Sequence, residues 1–127
     1  MLLHSKILGE GQPFLILHGF LGMSDNWKSL GNKFSEEHYQ VHLIDQRNHG
    51  RSFHNNEFNY DALVEDLKSY CEYYQLNNIV LMGHSMGGGA SLLAAENNSN
   101  ITTLINFAAA ETSPSAITAS SNILAST

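Results

Sequence analysis

The chain has 127 residues, which is enough for one domain over residues 1–127 and leaves little room for a second. Twelve acidic and six basic side chains give a formal net charge of −6, which argues against binding to nucleic acid or to an anionic membrane surface. The hydrophobic share of 43% is sufficient to fill a core, so a disordered chain is also excluded.

Short apolar runs alternate with longer amphipathic segments along the chain. This alternation is typical of an α/β fold, in which a mostly parallel sheet carries helices on both faces. One or two edge strands are predicted within Leu2–Leu8, and buried strands at Phe14–Leu17, Val41–Asp45, Ile79–Met82 and Ile101–Ala110. Helices are predicted from Ser24 or Asn26 to about Glu37, from Tyr60 to Leu76, and from the glycine turn after Met82 to Ala95 or Glu96.

The segment beyond Glu111 is rich in Ser, Thr, Ala and Asn. Ser113 and Pro114 have the residue types of a helix start. No further apolar strand is expected there, so the sheet should have about six strands.

The strongest chemical signal is Gly-His-Ser-Met-Gly at Gly83–Gly87, between a predicted strand and a helix of small residues. A serine on such a sharp turn is exposed in a strained conformation, and the flanking glycines remove side chains that would clash. The helix N-terminus favours negative charge on an attacked carbonyl oxygen. Ser85 is therefore the candidate nucleophile, and a turn that only permits close packing is the alternative. Nucleotide-binding motifs fit poorly, because a second glycine and a P-loop lysine are missing.

A second signal is His-Gly-Phe-Leu-Gly at His18–Gly22, directly after the first buried strand. Acyl transfer needs two N–H donors for the oxyanion, one from the residue after the nucleophile and one from a neighbouring loop. Met86 and Phe20 are predicted to supply them, with His18 and Gly19 in the same oxyanion and substrate site. A structural turn is the alternative interpretation.

These motifs and a third, Asp-Gln-Arg-Asn-His-Gly-Arg-Ser at Asp45–Ser52, resemble in order and spacing the α/β-hydrolase superfamily. The similarity is greatest to the N-terminal part of small bacterial serine esterases and covers roughly residues 12–96. It implies an eight-stranded sheet fold and hydrolysis of small carboxylic esters through an acyl-enzyme on Ser85. It also implies that Phe20 and Met86 are the oxyanion donors.

The same resemblance implies a structural role for the third motif, in which Asp45 and Arg47 order the loop beside the active site. The residue types agree, since Asp and Asn satisfy backbone groups in turns and Gly50 permits a bend. From Gly87 to Leu92 the sequence is similar instead to dienelactone hydrolases and cutinase-like members, which implies a composite or engineered origin.

In this fold the nucleophile is followed along the chain by an acid and then by a histidine. No histidine follows Ser85, so the chain is expected to be the N-terminal portion or a shortened form of such an enzyme. Glu111, after the fourth buried strand, is the candidate acid, and a solvated loop acid is the alternative. His18 and His49 are candidate surrogate bases on nearby loops, whereas His84 should point away from the nucleophile.

The sequence thus predicts an ester hydrolase, and the alternative is a catalytically incompetent fragment or an engineered minimal scaffold of the same fold. No metal or cofactor is implied, and the expected partner is a small acyl ester. Cys71, the single cysteine, is expected to be buried and inert, and the sequence has no signal peptide or transmembrane run, which favours a cytoplasmic location. An open edge strand would allow a homodimer or a strand-swapped oligomer.

Overall fold

A single sheet organises the part of the chain that the computed structural model describes, residues 1–107 and 122–125. Its six strands are β1 (Ser5–Leu8), β2 (Gln12–Leu17), β3 (Tyr39–Ile44), β4 (Ile79–His84), β5 (Ile101–Phe107) and β6 (Asn122–Ala125). They lie in the order β1-β3-β2-β4-β5-β6. The four central strands are parallel, whereas β1 and β6 pair antiparallel at the two ends of this order. The predicted mostly parallel α/β sheet is therefore confirmed.

Within the described residues, three α-helices and one short 3-10 helix cover the sheet. The 3-10 helix is Ser24–Trp27, and the α-helices are α1 (Lys28–Ser35), α2 (Tyr60–Tyr73) and α3 (Met86–Asn97). Side chains of α1 pack on the sheet face that carries Phe14 and Ile16. Those of α2 and α3 pack on the opposite face, which carries Leu15 and Leu17. Helices therefore lie on both faces, as the nearly continuous apolar run of β2 predicts.

The C-terminal end of the sheet differs from the sequence prediction, which expected no strand after the one that begins at Ile101. The structure places β6 at Asn122–Ala125, antiparallel to β5. A four-residue segment with only two large apolar side chains has too little periodicity to be found on its own, and pairing with β5 supplies its hydrogen bonds. The helix start predicted at Ser113 and Pro114 lies outside the described residues.

The chain order of the strands creates a crevice at the carboxyl ends of β2 and β4. These strands are neighbours, but the chain leaves β2 towards α1 on one face and leaves β4 towards α3 on the other. Ligands of open α/β sheets bind at such a reversal of strand order. The two motifs that follow β2 and β4 are therefore brought together by the topology.

A buried polar network joins β1, β3 and α2 outside this crevice. The His42 ring lies 2.6 Å from the Tyr70 hydroxyl through Nδ1 and 2.9 Å from Gln40 Oε1 through Nε2. The Tyr70 hydroxyl in turn lies 2.8 Å from Ser5 Oγ. Burial lowers the pKa of His42 to about 4, because the charged ring would lose its solvation.

His42 should make the fold sensitive to acid. Between pH 6.5 and about 4 the unfolded chain binds a proton at His42 that the folded protein excludes, so stability falls as the pH falls. We expect a loss of roughly 2–3 kcal/mol in the free energy of unfolding over this range. Urea denaturation of the wild type and of His42→Gln at several pH values measures it. The exposed His54→Gln variant is the control, and a His42→Gln variant with the full wild-type pH dependence would contradict the assignment.

Candidate active site

The turn between β4 and α3 holds Ser85 in an unusual backbone conformation. Its φ is 54° and its ψ is −113°, a region that residues other than glycine rarely adopt. The Ser85 carbonyl accepts the Gly89 N–H at 3.1 Å, so the strand passes into the helix without an intervening loop. The Ser85 side chain is exposed. The sharp strand-to-helix turn predicted from the sequence is thus present.

Two glycines of this turn lie where the backbone has no room for a side chain. A Cβ atom at Gly83 would lie 2.2 Å from Ser91 Oγ and 2.3 Å from the Gly87 carbonyl oxygen. A Cβ atom at Gly87 would lie 2.3 Å from the carbonyl oxygen of Leu17 at the end of β2. Glycine is needed at both positions because the turn packs directly on the neighbouring strand.

The loop after β2 lies against this turn. A Cβ atom at Gly19 would be 3.4 Å from Ser85 Cβ and 3.2 Å from His84 Nδ1. The next residue, Phe20, lines a pocket of about 320 Å³ together with Met86. Met86 is the first residue of α3, where backbone N–H groups have no partner within the helix. The structure therefore brings together Gly19, Phe20, Ser85 and Met86.

The walls of this pocket are largely apolar. Phe58, Asn59, Tyr60 and Leu63 complete its lining. The Phe20 ring is 61% exposed and lies 6.0 Å from the Phe58 ring. The pocket therefore presents aromatic surface next to Met86, the residue that follows Ser85 in the chain. No local sequence pattern marks Phe58 or Tyr60 as pocket residues; they lie in the loop before α2 and at its start.

The two candidate surrogate bases have both ring nitrogens engaged by the backbone. His18 Nδ1 lies 2.7 Å from the Gly19 carbonyl oxygen, and its Nε2 accepts the Gln46 N–H at 3.0 Å. His49 Nδ1 lies 2.8 Å from the Arg47 carbonyl oxygen, and its Nε2 accepts the Leu21 N–H at 3.0 Å.

Those partners fix the tautomer of both rings, with the hydrogen on Nδ1, since a carbonyl requires N–H and an N–H donor requires a lone pair. Burial lowers the pKa of His18 and keeps it neutral. The surrogate-base hypothesis is therefore wrong for His18 and His49, because neither ring has a free lone pair for the Ser85 proton. His18 is buried, and its predicted place in the oxyanion and substrate site stays a prediction.

Asp45 joins the three segments around the site. One carboxylate oxygen accepts the Ser24 N–H at 2.6 Å, and the other lies 3.1 Å from His4 Nδ1 and accepts the Arg51 N–H at 3.3 Å. Burial opposes the charge, but these hydrogen bonds outweigh it and hold the pKa of Asp45 below its usual value. Gly50, with φ of 51°, passes so close that a Cβ atom would lie 2.4 Å from the carboxyl carbon.

Arg47 anchors the same loop to α2. Its Nε and Nη2 donate to the two carboxylate oxygens of Asp66 at 2.6 and 2.8 Å, and its Nη1 donates to the Glu57 carbonyl oxygen at 2.7 Å. Both side chains of the pair are 9% exposed. Asp45 and Arg47 thus hold the loop, as the sequence predicts. The sequence analysis did not identify Asp66 as the partner of Arg47. An acidic residue between Leu63 and Leu67 on the buried face of a helix is the available signal, because a buried carboxylate needs a cation as its partner.

The remaining candidates lie away from this chemistry or outside the described residues. The His84 ring packs edge-on against Trp27, with ring centroids 5.6 Å apart. Cys71 is a buried free thiol whose pKa burial raises to about 12. Glu111, the candidate acid, is not among the described residues. Within residues 1–107 and 122–125 no group of three or more His, Cys, Asp or Glu side chains could hold a metal ion.

Comparison with known proteins agrees with this arrangement of strands and turns. Residues 12–126 match the family described as alpha/beta hydrolase fold. The chain belongs to this family, and the resemblance inferred from the three motifs is confirmed at that level.

Three relatives show how far the similarity extends. An ethanol acetyltransferase 1 from Cyberlindnera fabianii is 39% identical over 95 residues, which cover 73% of this chain and 28% of that protein. A putative esterase/lipase from Haemophilus influenzae is 42% identical over 81 residues, or 63% of this chain and 28% of that protein. The solved structure of a marine microorganism esterase has a TM-score of 0.78 at 36% identity, covering 94% of this chain and 48% of that one. The chain thus spans less than half the length of each.

None of the helices in the described part of the chain is long and apolar enough to cross a membrane. The similarity of Gly87–Leu92 to dienelactone hydrolases and cutinase-like members stays a prediction, as does a bacterial origin.

Proposed function

We propose that the protein hydrolyses small acyl esters with Ser85 as the nucleophile. Ser85 Oγ would attack the ester carbonyl carbon, and the resulting oxyanion would accept hydrogen bonds from the Phe20 and Met86 N–H groups. The alcohol then leaves with a proton, and water releases the acid from the acyl-enzyme. The observation that supports this most directly is the strained Ser85 turn, packed against Gly19 of the neighbouring loop.

The proposal requires a base that takes the Ser85 proton, because an unassisted hydroxyl is a weak nucleophile. His18 and His49 are not candidates for this base, because the nitrogens of both rings are engaged by backbone groups. Glu111 as the acid of a catalytic triad stays a prediction. The competing hypothesis is a chain that keeps the turn as architecture but does not react.

Covalent labelling by a fluorophosphonate probe, followed by intact mass, distinguishes the two hypotheses. We expect one probe per chain in the wild type and none in Ser85→Ala, because only an activated serine attacks the phosphorus atom. Ser29→Ala, which removes an exposed hydroxyl on α1, is the matched control and should label like the wild type. A folded wild type that takes up no probe would refute catalysis by this chain.

The pocket beside Ser85 suggests the substrate class. Its lining by Phe20, Leu63 and Met86 would accept the apolar part of a small ester. The similarity to the marine esterase and to the putative esterase/lipase of Haemophilus influenzae also supports ester substrates.

Acyl transfer to an alcohol is a second candidate. The ethanol acetyltransferase relative suggests it, and the exposed rings of Phe20 and Tyr60 at the mouth favour an alcohol over water as the second nucleophile. Adding ethanol to an ester assay tests this: transfer gives the ethyl ester in place of part of the free acid.

Three further expectations stay predictions. They are a single domain over residues 1–127, a cytoplasmic location, and association of two chains through an open sheet edge.

A further inference from the structure

Two histidines connect the loop after β2 with the loop after β3. We propose that His18 and His49 form a clasp that fixes the direction of the Phe20 N–H group, so that both are positioning residues for the oxyanion. The inference rests on the proposed function for the role of Phe20. Neither residue touches the reacting atoms.

His18 acts on the peptide unit that contains the Phe20 N–H. The Gly19 carbonyl and the Phe20 N–H belong to one planar trans unit and point in opposite directions. The Gly19 oxygen accepts from His18 Nδ1 at 2.7 Å and from the Gly22 N–H at 3.0 Å. Two donors on the carbonyl fix the plane of the unit. They also polarise it, which strengthens the Phe20 N–H as a donor.

His49 acts on the following residue. Leu21 has a φ of 63°, in the left-handed region, and its side chain is 83% exposed, so apolar packing does not hold it there. Its N–H donates to His49 Nε2 at 3.0 Å, and His49 Nδ1 donates to the Arg47 carbonyl oxygen at 2.8 Å. Arg47 is bound to Asp66, so a chain of contacts connects Leu21 to α2.

The two halves of the clasp are reciprocal. His18 comes from the loop after β2 and accepts the Gln46 N–H of the loop after β3, and His49 returns the same kind of bond to Leu21. The ring centroids are 4.9 Å apart, and the rings are 1% and 8% exposed. Phe20 therefore has a histidine tether on each side, at Gly19 and at Leu21.

The test compares His49→Phe with His49→Gln. The phenyl ring keeps an aromatic ring beside Phe20 and Phe58 but cannot accept the Leu21 N–H, whereas a glutamine oxygen can accept it. Amide hydrogen exchange measured by NMR on the full chain should be about tenfold faster or more at Leu21 in His49→Phe, the size of one lost hydrogen bond. His49→Gln should recover most of the protection, and His54→Phe, an exposed histidine of the same loop, should match the wild type.

A second readout connects the clasp to reactivity. In His49→Phe the maximal rate of fluorophosphonate labelling should fall about tenfold while the probe concentration at half-maximal rate stays the same, because only oxyanion stabilisation is lost. Unchanged Leu21 exchange and an unchanged Phe20 amide shift in His49→Phe would overturn the clasp. If Leu21 exchanges faster in His49→Phe but the wild type does not label, the proposed function is refuted and the clasp remains supported.

Discussion

Replacing Asp66 by alanine is expected to lower the free energy of unfolding by about 3–5 kcal/mol, because the buried Arg47 guanidinium would keep its charge without the buried carboxylate that neutralises it. The exposed Glu57 carboxylate, 4.0 Å from Nη1, would be its remaining ionic partner. Asp66 accepts two hydrogen bonds from Arg47, at 2.6 and 2.8 Å. These bonds raise the pKa of Arg47 in the wild type. Without them the guanidinium still keeps its proton, as arginine does in proteins, so the cation cannot escape by deprotonation. Urea denaturation followed by circular dichroism measures the loss.

The comparison variants separate the ion pair from a general effect on α2. Glu65→Ala removes a neighbouring exposed carboxylate and should change stability by less than about 1 kcal/mol. The double variant Arg47→Met with Asp66→Leu replaces both charges by apolar side chains and should recover most of the loss. If Asp66→Ala were as stable as Glu65→Ala, the pair would not be buried in solution as the structure has it.

The sequence was sufficient for the features that depend on local patterns. Continuous apolar runs predicted β2, β3 and β4, since strands buried on both faces need no polar alternation. The glycine spacing around Ser85 predicted the sharp turn, because few sequences permit a strand to pass directly into a helix. Parallel strand order then required the loops after β2 and β4 to lie side by side.

Features that depend on contacts between distant segments could not be predicted in the same way. His49 lies 28 residues from Leu21, and nothing near either residue indicates that the ring accepts that N–H. The same isolation led to the hypothesis that His18 and His49 are bases, because a histidine in a loop has the same local signal whether its nitrogens are free or engaged. β6 was missed because its pairing with β5 and not its own sequence defines it.

Replacing Gly87 by alanine is expected to lower the free energy of unfolding by at least about 3 kcal/mol and to abolish probe labelling of Ser85, because the new methyl group has no space and no flexible neighbour. It would meet the carbonyl oxygens of Leu17 at 2.3 Å and of His18 at 2.7 Å, both on the backbone at the end of β2. To make room for the methyl group, α3 would have to move away from β2. That movement would separate Ser85 from the loop that carries Phe20.

Gly89→Ala, two residues along the same helix, is the matched control for that effect. The atoms that its Cβ would meet belong to the Tyr60 ring, at 2.7 to 2.8 Å, and this ring is 47% exposed and can turn away. Alanine also favours a helix interior over glycine by about 1 kcal/mol. Gly89→Ala should therefore be at least as stable as the wild type in urea. Equal stability of the two alanine variants would mean that the backbone of β2 does not confine the turn, and the close approach of Gly87 to Leu17 would then be wrong.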